Sequence, residues 1–211
     1  MDALIPFLSI LGALAVGAIS PGPSFVFVVR TSHALSRRDG IAAALGMGVG
    51  GVIFAGLALL GLQAVLAKIA WLYAALRVAG GLYLLYLAAR LWRGAAERIV
   101  VPGTVDRRAP GRLRSFGLGL ATQLSNPKTA IVYGSIFAAL LPPAPPSWIV
   151  VTLLPAVMLI EAGWYTIVAA AFSSECPRAA YLRGKHWIDR TAGAVMGALG
   201  LRLVIETAQS G

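Results

Sequence analysis

Within the run PAVMLIEAGWYTIV, residues 155–168, one side chain can carry charge, and it is Glu161. The other acidic residues (Asp2, Asp39, Glu97, Asp106, Glu175, Asp189 and Glu206) fall in polar connections or near the ends of apolar runs. A carboxylate in the middle of a stretch this apolar is costly to bury in hydrocarbon, so it must face a protein interior, where it is positioned to take up and release protons. Lys128, in the run LSNPKTAIVY, is its candidate partner. Two readings of that couple stay open, a structural ion pair or a working pair. Trp164 and Tyr165 follow Glu161 by three and four residues and share its helical face, as walls of a common cavity or as plain packing.

A second chemical feature is backbone rather than side chain. ISPGPSFVFVV, residues 19–29, sets Pro21 and Pro23 around Gly22 in an apolar stretch. Each proline removes a hydrogen-bond donor and interrupts a helix. Residues 124–133 repeat the pattern: Ser20-Pro21-Gly22-Pro23-Ser24 aligns with Ser125-Asn126-Pro127-Lys128-Thr129. Similarly, Arg77-Val78-Ala79-Gly80 aligns with Arg190-Thr191-Ala192-Gly193. Freed carbonyls and half-helix ends are intolerable against lipid but useful around a polar cavity. Paired breaks at matching positions favour that use over simple proline kinks.

The elements that carry these groups are membrane spans. The chain of 211 residues is 58% hydrophobic and 12% charged with a mean hydropathy of +0.80, outside the range of soluble domains. Apolar runs long enough to cross about 30 Å of hydrocarbon fall near 4–29, 40–62, 70–92, 115–141, 148–172 and 188–207. The first opens with Met1-Asp2 and is long, so it is expected to remain as a span rather than serve as a cleaved signal. The expected fold is an all-α integral membrane protein, with six transmembrane helices as two inverted three-helix repeats. Repeat one covers 1–93, a cytoplasmic linker 94–114, and repeat two 115–211.

Net charge is +10, and 14 of the 18 basic residues lie on or beside alternate connections, the pattern of cytoplasmic loops. Both termini are then expected outside. Trp71, Trp92, Trp148 and Trp187 mark span ends, so the basic character belongs to a membrane and not to nucleic acid. Arg77 lies near enough to a span end to snorkel outward. Cys176 is alone, which rules out a disulfide and any multi-cysteine metal site, and His33 and His186 are peripheral. No phosphate-binding glycine loop occurs. The pairs Gly46/Gly50 and Gly193/Gly197 suit close helix packing.

Several of these motifs together resemble the lysine exporter superfamily, most closely its LysE/RhtB-type amino-acid exporters of bacterial membranes, including the homoserine, threonine and leucine efflux types. The carrying residues are Ser20-Pro21-Gly22-Pro23, Ala79-Gly80-Gly81 followed by Leu82-Tyr83-Leu84, Asn126-Pro127-Lys128, and Gly193 with Gly200-Leu201-Arg202. The resemblance implies six spans and efflux of amino acids or their derivatives from the cytoplasm across the inner membrane, driven by proton antiport. It also implies an acidic residue in the fifth span, where Glu161 stands in place of the more usual aspartate.

The candidate substrate-binding residues are Ser20, Pro21, Gly22, Pro23, Ser24, Ser125, Asn126, Pro127, Lys128, Glu161 and Trp164, with Glu161 also coupling protons. The partners are a small amino acid or derivative, protons and membrane lipid, with homo-oligomers allowed and nucleic acid excluded. Enzymatic activity, cofactors and metals are not called for. The alternative function is export of a cation or another small solute within the same superfamily.

Overall fold

A computed structural model describes residues 3–66, 70–95, 111–142, 145–173 and 175–209. Among them are eight α-helices and no strands: α1 Leu4–Ile19, α2 Pro23–Ala34, α3 Arg37–Leu66, α4 Ala70–Gly94, α5 Arg112–Leu124, α6 Pro127–Leu140, α7 Ser147–Phe172 and α8 Glu175–Gln209. Most of the expected linker, at 96–110, lies outside the described residues, as do Lys68 and the side chains of Trp71, Cys176 and Arg178.

The prolines divide the two interrupted runs. After α1 the backbone turns extended at Gly22, Pro23 occupies the first turn of α2, and the two helices bend by 55°. Proline suits that place because its fixed φ is already helical and its missing N–H has no partner there anyway. In the second run Asn126 caps α6, its Oδ1 accepting from the Lys128 N–H at 3.0 Å, and Pro127 follows the cap. Cap and proline are therefore Gly22-Pro23 and Asn126-Pro127, one residue out from the alignment that the sequence suggests.

One expected connection is largely helix. The residues between the fifth and sixth runs belong to α8, which begins at Glu175 rather than near 188. Pro177 falls in its first turn, where a proline is tolerated, and alanine, arginine and leucine carry the helix on. Basic residues expected in a loop thus ride on its N-terminal turns. There Lys185 Nζ donates to Asp189 Oδ2 at 2.7 Å and to the Gly94 carbonyl at 2.9 Å, capping the end of α4.

α3 is the hub, packed between α5 and α7, while α4 lies along α8. Glycines set these approaches. A Cβ on Gly46 would strike the Phe116 carbonyl of α5, and one on Gly48 would lie 2.7 Å from Met158 Sδ of α7. Where α4 crosses α8, a Cβ on Gly200 would lie 2.6 Å from the Gly81 carbonyl. Gly193 sits under the Trp92 ring, and a Cβ on Gly197 would be in ordinary contact with Ala88. Small residues let helices come this close where lipid offers no hydrophobic drive for association.

Two apolar clusters fill the interior. One gathers Ile10, Leu14, Leu84, Ile136, Phe137 and Leu153; the other gathers Phe25, Met47, Tyr165 and Phe172, with Phe25 and Phe172 edge to face at 5.4 Å. The outside is apolar as well: Leu60, Val151 and Leu159 are 70%, 71% and 75% exposed, and Trp92, Trp148 and Trp187 are exposed too. So much bare leucine and valine suits acyl chains, not water. Three helices are long and apolar enough to cross a membrane, within 37–61, 147–172 and 183–209, or four if α1 and α2 form one bent span. That count covers described residues alone.

Gly46→Ala is expected to lower the thermal midpoint of the detergent-solubilised protein, because backbone cannot yield as a flexible side chain can and overpacking costs about 1–3 kcal/mol. Gly56→Ala on the same helix, where a Cβ meets nothing within 4 Å, should leave the midpoint unchanged or higher.

Candidate functional site

Val157, Glu161 and Tyr165 follow one another on successive turns of α7. Val157 belongs to the first apolar cluster and Tyr165 to the second, so Glu161 lies in the layer between them. It is 3% exposed. Both carboxylate oxygens are met: Tyr133 Oη of α6 donates to Oε1 at 2.9 Å, and Gln123 Nε2 of α5 donates to Oε2 at 3.1 Å. α3 makes room with Gly51, where a Cβ would lie 2.9 Å from Glu161 Cγ and 3.0 Å from Tyr133 Oη.

The network runs on from Gln123 to the first break. Ser24 Oγ donates to Gln123 Oε1 at 2.6 Å, and Asn126 Nδ2 donates to Ser24 Oγ at 3.0 Å. Ser24, Gln123, Asn126 and Glu161 are all buried. Buried polar groups are stable when each has a partner, and here α2, α5, α6 and α7 supply one another.

Lys128 turns the other way. Its Nζ donates to the Ser20 carbonyl at 3.1 Å, to Ser20 Oγ at 3.2 Å and to the Gly17 carbonyl at 3.4 Å. Four residues beyond Gly17 stands Pro21, which has no N–H to give that carbonyl, so the lysine meets a need the proline creates. The ammonium also sits at the negative end of the α1 dipole.

Between these groups is a cavity of about 20 Å³ bordered by Gly17, Ser20, Gly22, Ser24, Asn126, Lys128, Thr129 and Glu161, with Leu14, Val132, Tyr133 and Tyr165 as walls. That is room for about one water molecule.

The sequence-derived candidates divide by role. Ser20, Gly22, Ser24, Asn126, Lys128 and Glu161 border the cavity. Pro21, Pro23, Ser125 and Pro127 shape the breaks and are not among its walls. Trp164 is not a wall either; it packs against the second apolar cluster, and Tyr165 takes the position. At about 100° per residue, a four-residue step returns to within about 40° of Glu161, while a three-residue step points about 60° to its other side.

The Lys128–Glu161 ion pair does not form. Among the described residues the ion pairs are Arg77–Glu206, Lys185–Asp189 and Arg202–Glu206. Arg77, expected to snorkel, is thus held to α8. Gln123 and Tyr133 were not singled out by sequence. The available signal was an amide one turn before Pro127, in an otherwise apolar run.

The threonine efflux protein of Escherichia coli (strain K12) is 34% identical over 204 residues, covering 96% of this chain and 99% of that protein. The threonine efflux protein of Salmonella typhimurium is 36% identical over 197 residues, covering 90% of this chain and 93% of that one. The leucine efflux protein of Salmonella choleraesuis is 30% identical over 136 residues, 61% of this chain and 59% of that one. No solved structure matches. The model of the LysE type translocators matches residues 15–207, and with nearly the whole sequence covered, the chain belongs to that family.

Proposed function

We propose that the protein is a secondary exporter of amino acids or their derivatives, moving them out of the cytoplasm across the bacterial inner membrane by proton antiport. The observation that carries this reading is the pairing of a carboxylate, an ammonium and donor-free carbonyls around one small cavity between two helix breaks. Such a set is complementary to a zwitterion. The relatives' names, threonine and leucine efflux, supply the substrate class, and threonine is the first to test.

In this mechanism the substrate carboxylate meets Lys128 and the N–H groups at a helix start. Its ammonium meets Glu161 or the carbonyls at the end of α1. A proton arriving from outside binds the Glu161 carboxylate, cancels its attraction for the ammonium, and the substrate leaves outward. The proton is given up to the cytoplasm when the site next opens there. Trp164 contributes by supporting Tyr165 and α2 rather than by contact.

Six spans in two inverted repeats, 1–93 and 115–211, suit this cycle, with both termini outside. The reading is supported by the helix pairings: α3 with α7, α4 with α8, and the mates α1 with α6 and α2 with α5, as a pseudo-twofold axis in the membrane plane would pair them. The basic connections support the orientation.

In proteoliposomes loaded with threonine, the wild type should export uphill when a pH gradient alone is imposed. Glu161→Gln should lose uphill export and keep downhill flux; continued uphill export by this variant would sink the coupling role. Tyr133→Phe removes a donor from a buried carboxylate, a loss of about 1–3 kcal/mol, and should lower the melting temperature and slow export by about tenfold.

A further inference from the structure

The oxygen cradle at the end of α1 has the form of a primary ammonium site. Gly17 O, Ser20 O and Ser20 Oγ converge on one point, three acceptors for the three N–H donors of an ammonium group. The helix dipole adds negative potential there. The group that fills the cradle is the chain's own, carried by a side chain from α6, so the contact bridges the two breaks. The lysine stem lies across Gly22, where a Cβ would be 3.5 Å from both Cδ and Nζ. It is in ordinary contact, not wedged.

An α-amino acid carries the same primary ammonium. We infer that this cradle is the recognition site for the substrate ammonium, and that Lys128 stands in for the substrate when the carrier is empty. The inference rests on the amino-acid reading above. On loading, the substrate ammonium displaces Lys128 from the cradle, and the freed lysine turns to the substrate carboxylate. On release the lysine returns.

The exchange solves a problem of the return step, in which the carrier holds its proton but no amino acid. An empty, buried cluster of carbonyls is unfavourable, so a carrier that has discharged its cargo resists closing. With a tethered cation to fill the cradle, the empty carrier closes and returns to the cytoplasmic side. The water-sized cavity, with the lysine seated in its cradle, corresponds to that state. Without the lysine, only a loaded carrier would close, and net export would become one-for-one exchange.

Lys128→Met keeps the length of the side chain and removes its charge. In proteoliposomes, this variant should lose some threonine–threonine exchange along with the carboxylate contact, while its net efflux into threonine-free buffer should fall about tenfold further. Equal loss of both activities, or unchanged net efflux, overturns the inference. Should the variant not fold, Ser20→Ala takes one of the three acceptors from the lysine and tests the cradle itself: net efflux should fall several-fold relative to exchange, and an unchanged ratio overturns the proposal. If the wild type moves no amino acid in either assay, the amino-acid reading itself fails and this inference falls with it. If it does, the ratio of net efflux to exchange judges the lysine alone.

Discussion

A proline cannot donate a backbone hydrogen bond, and inside a bilayer no water makes up the difference. That constraint organises the centre of this protein. Pro21 leaves the Gly17 carbonyl without its helical partner, and Lys128 comes from the opposite half of the chain to meet it. Once the lysine is committed there, Glu161 has to be satisfied by other groups, and Tyr133 and Gln123 provide them. Gln123 in turn needs Ser24, and Ser24 needs Asn126. The polar layer follows link by link from one absent N–H.

Such a layer tolerates little slack, and the glycines of α3 supply the tolerance. Gly46 and Gly50 bring α5 in close, while Gly48 and Gly51 do the same for α7. The carboxylate and its amide donor thereby reach each other across α3 although they lie on different helices. Packing and chemistry are one requirement here: a methyl on Gly51 would push against Glu161 and the Tyr133 hydroxyl together.

The places where helices break were legible in the sequence because proline and glycine act locally. Burial of Glu161 was legible too, since a lone carboxylate in an apolar run has no other stable destination. Its partners were not. Whether Lys128 reaches Glu161 or the end of α1 depends on the direction in which α6 leaves its cap, and that is set by contacts between helices remote in sequence. The same limit applies to Trp164 and Tyr165, both read as walls: the rotation of α7 decides which of them faces the cavity, and it is Tyr165. The extension of α8 back to Glu175 was hidden for a different reason: its first turns are basic, so a search for apolar runs passes over them.

The two breaks are unequal in how they are held. At the second, the Asn126 side chain closes the start of α6 on itself, a bond between near neighbours that any tilt of the helix carries along intact. At the first, Gly22 offers no side chain, and the oxygens released at the end of α1 are tied to another helix. The start of α6 therefore carries its own support, whereas the end of α1 keeps its oxygens satisfied only while α6 stays beside it.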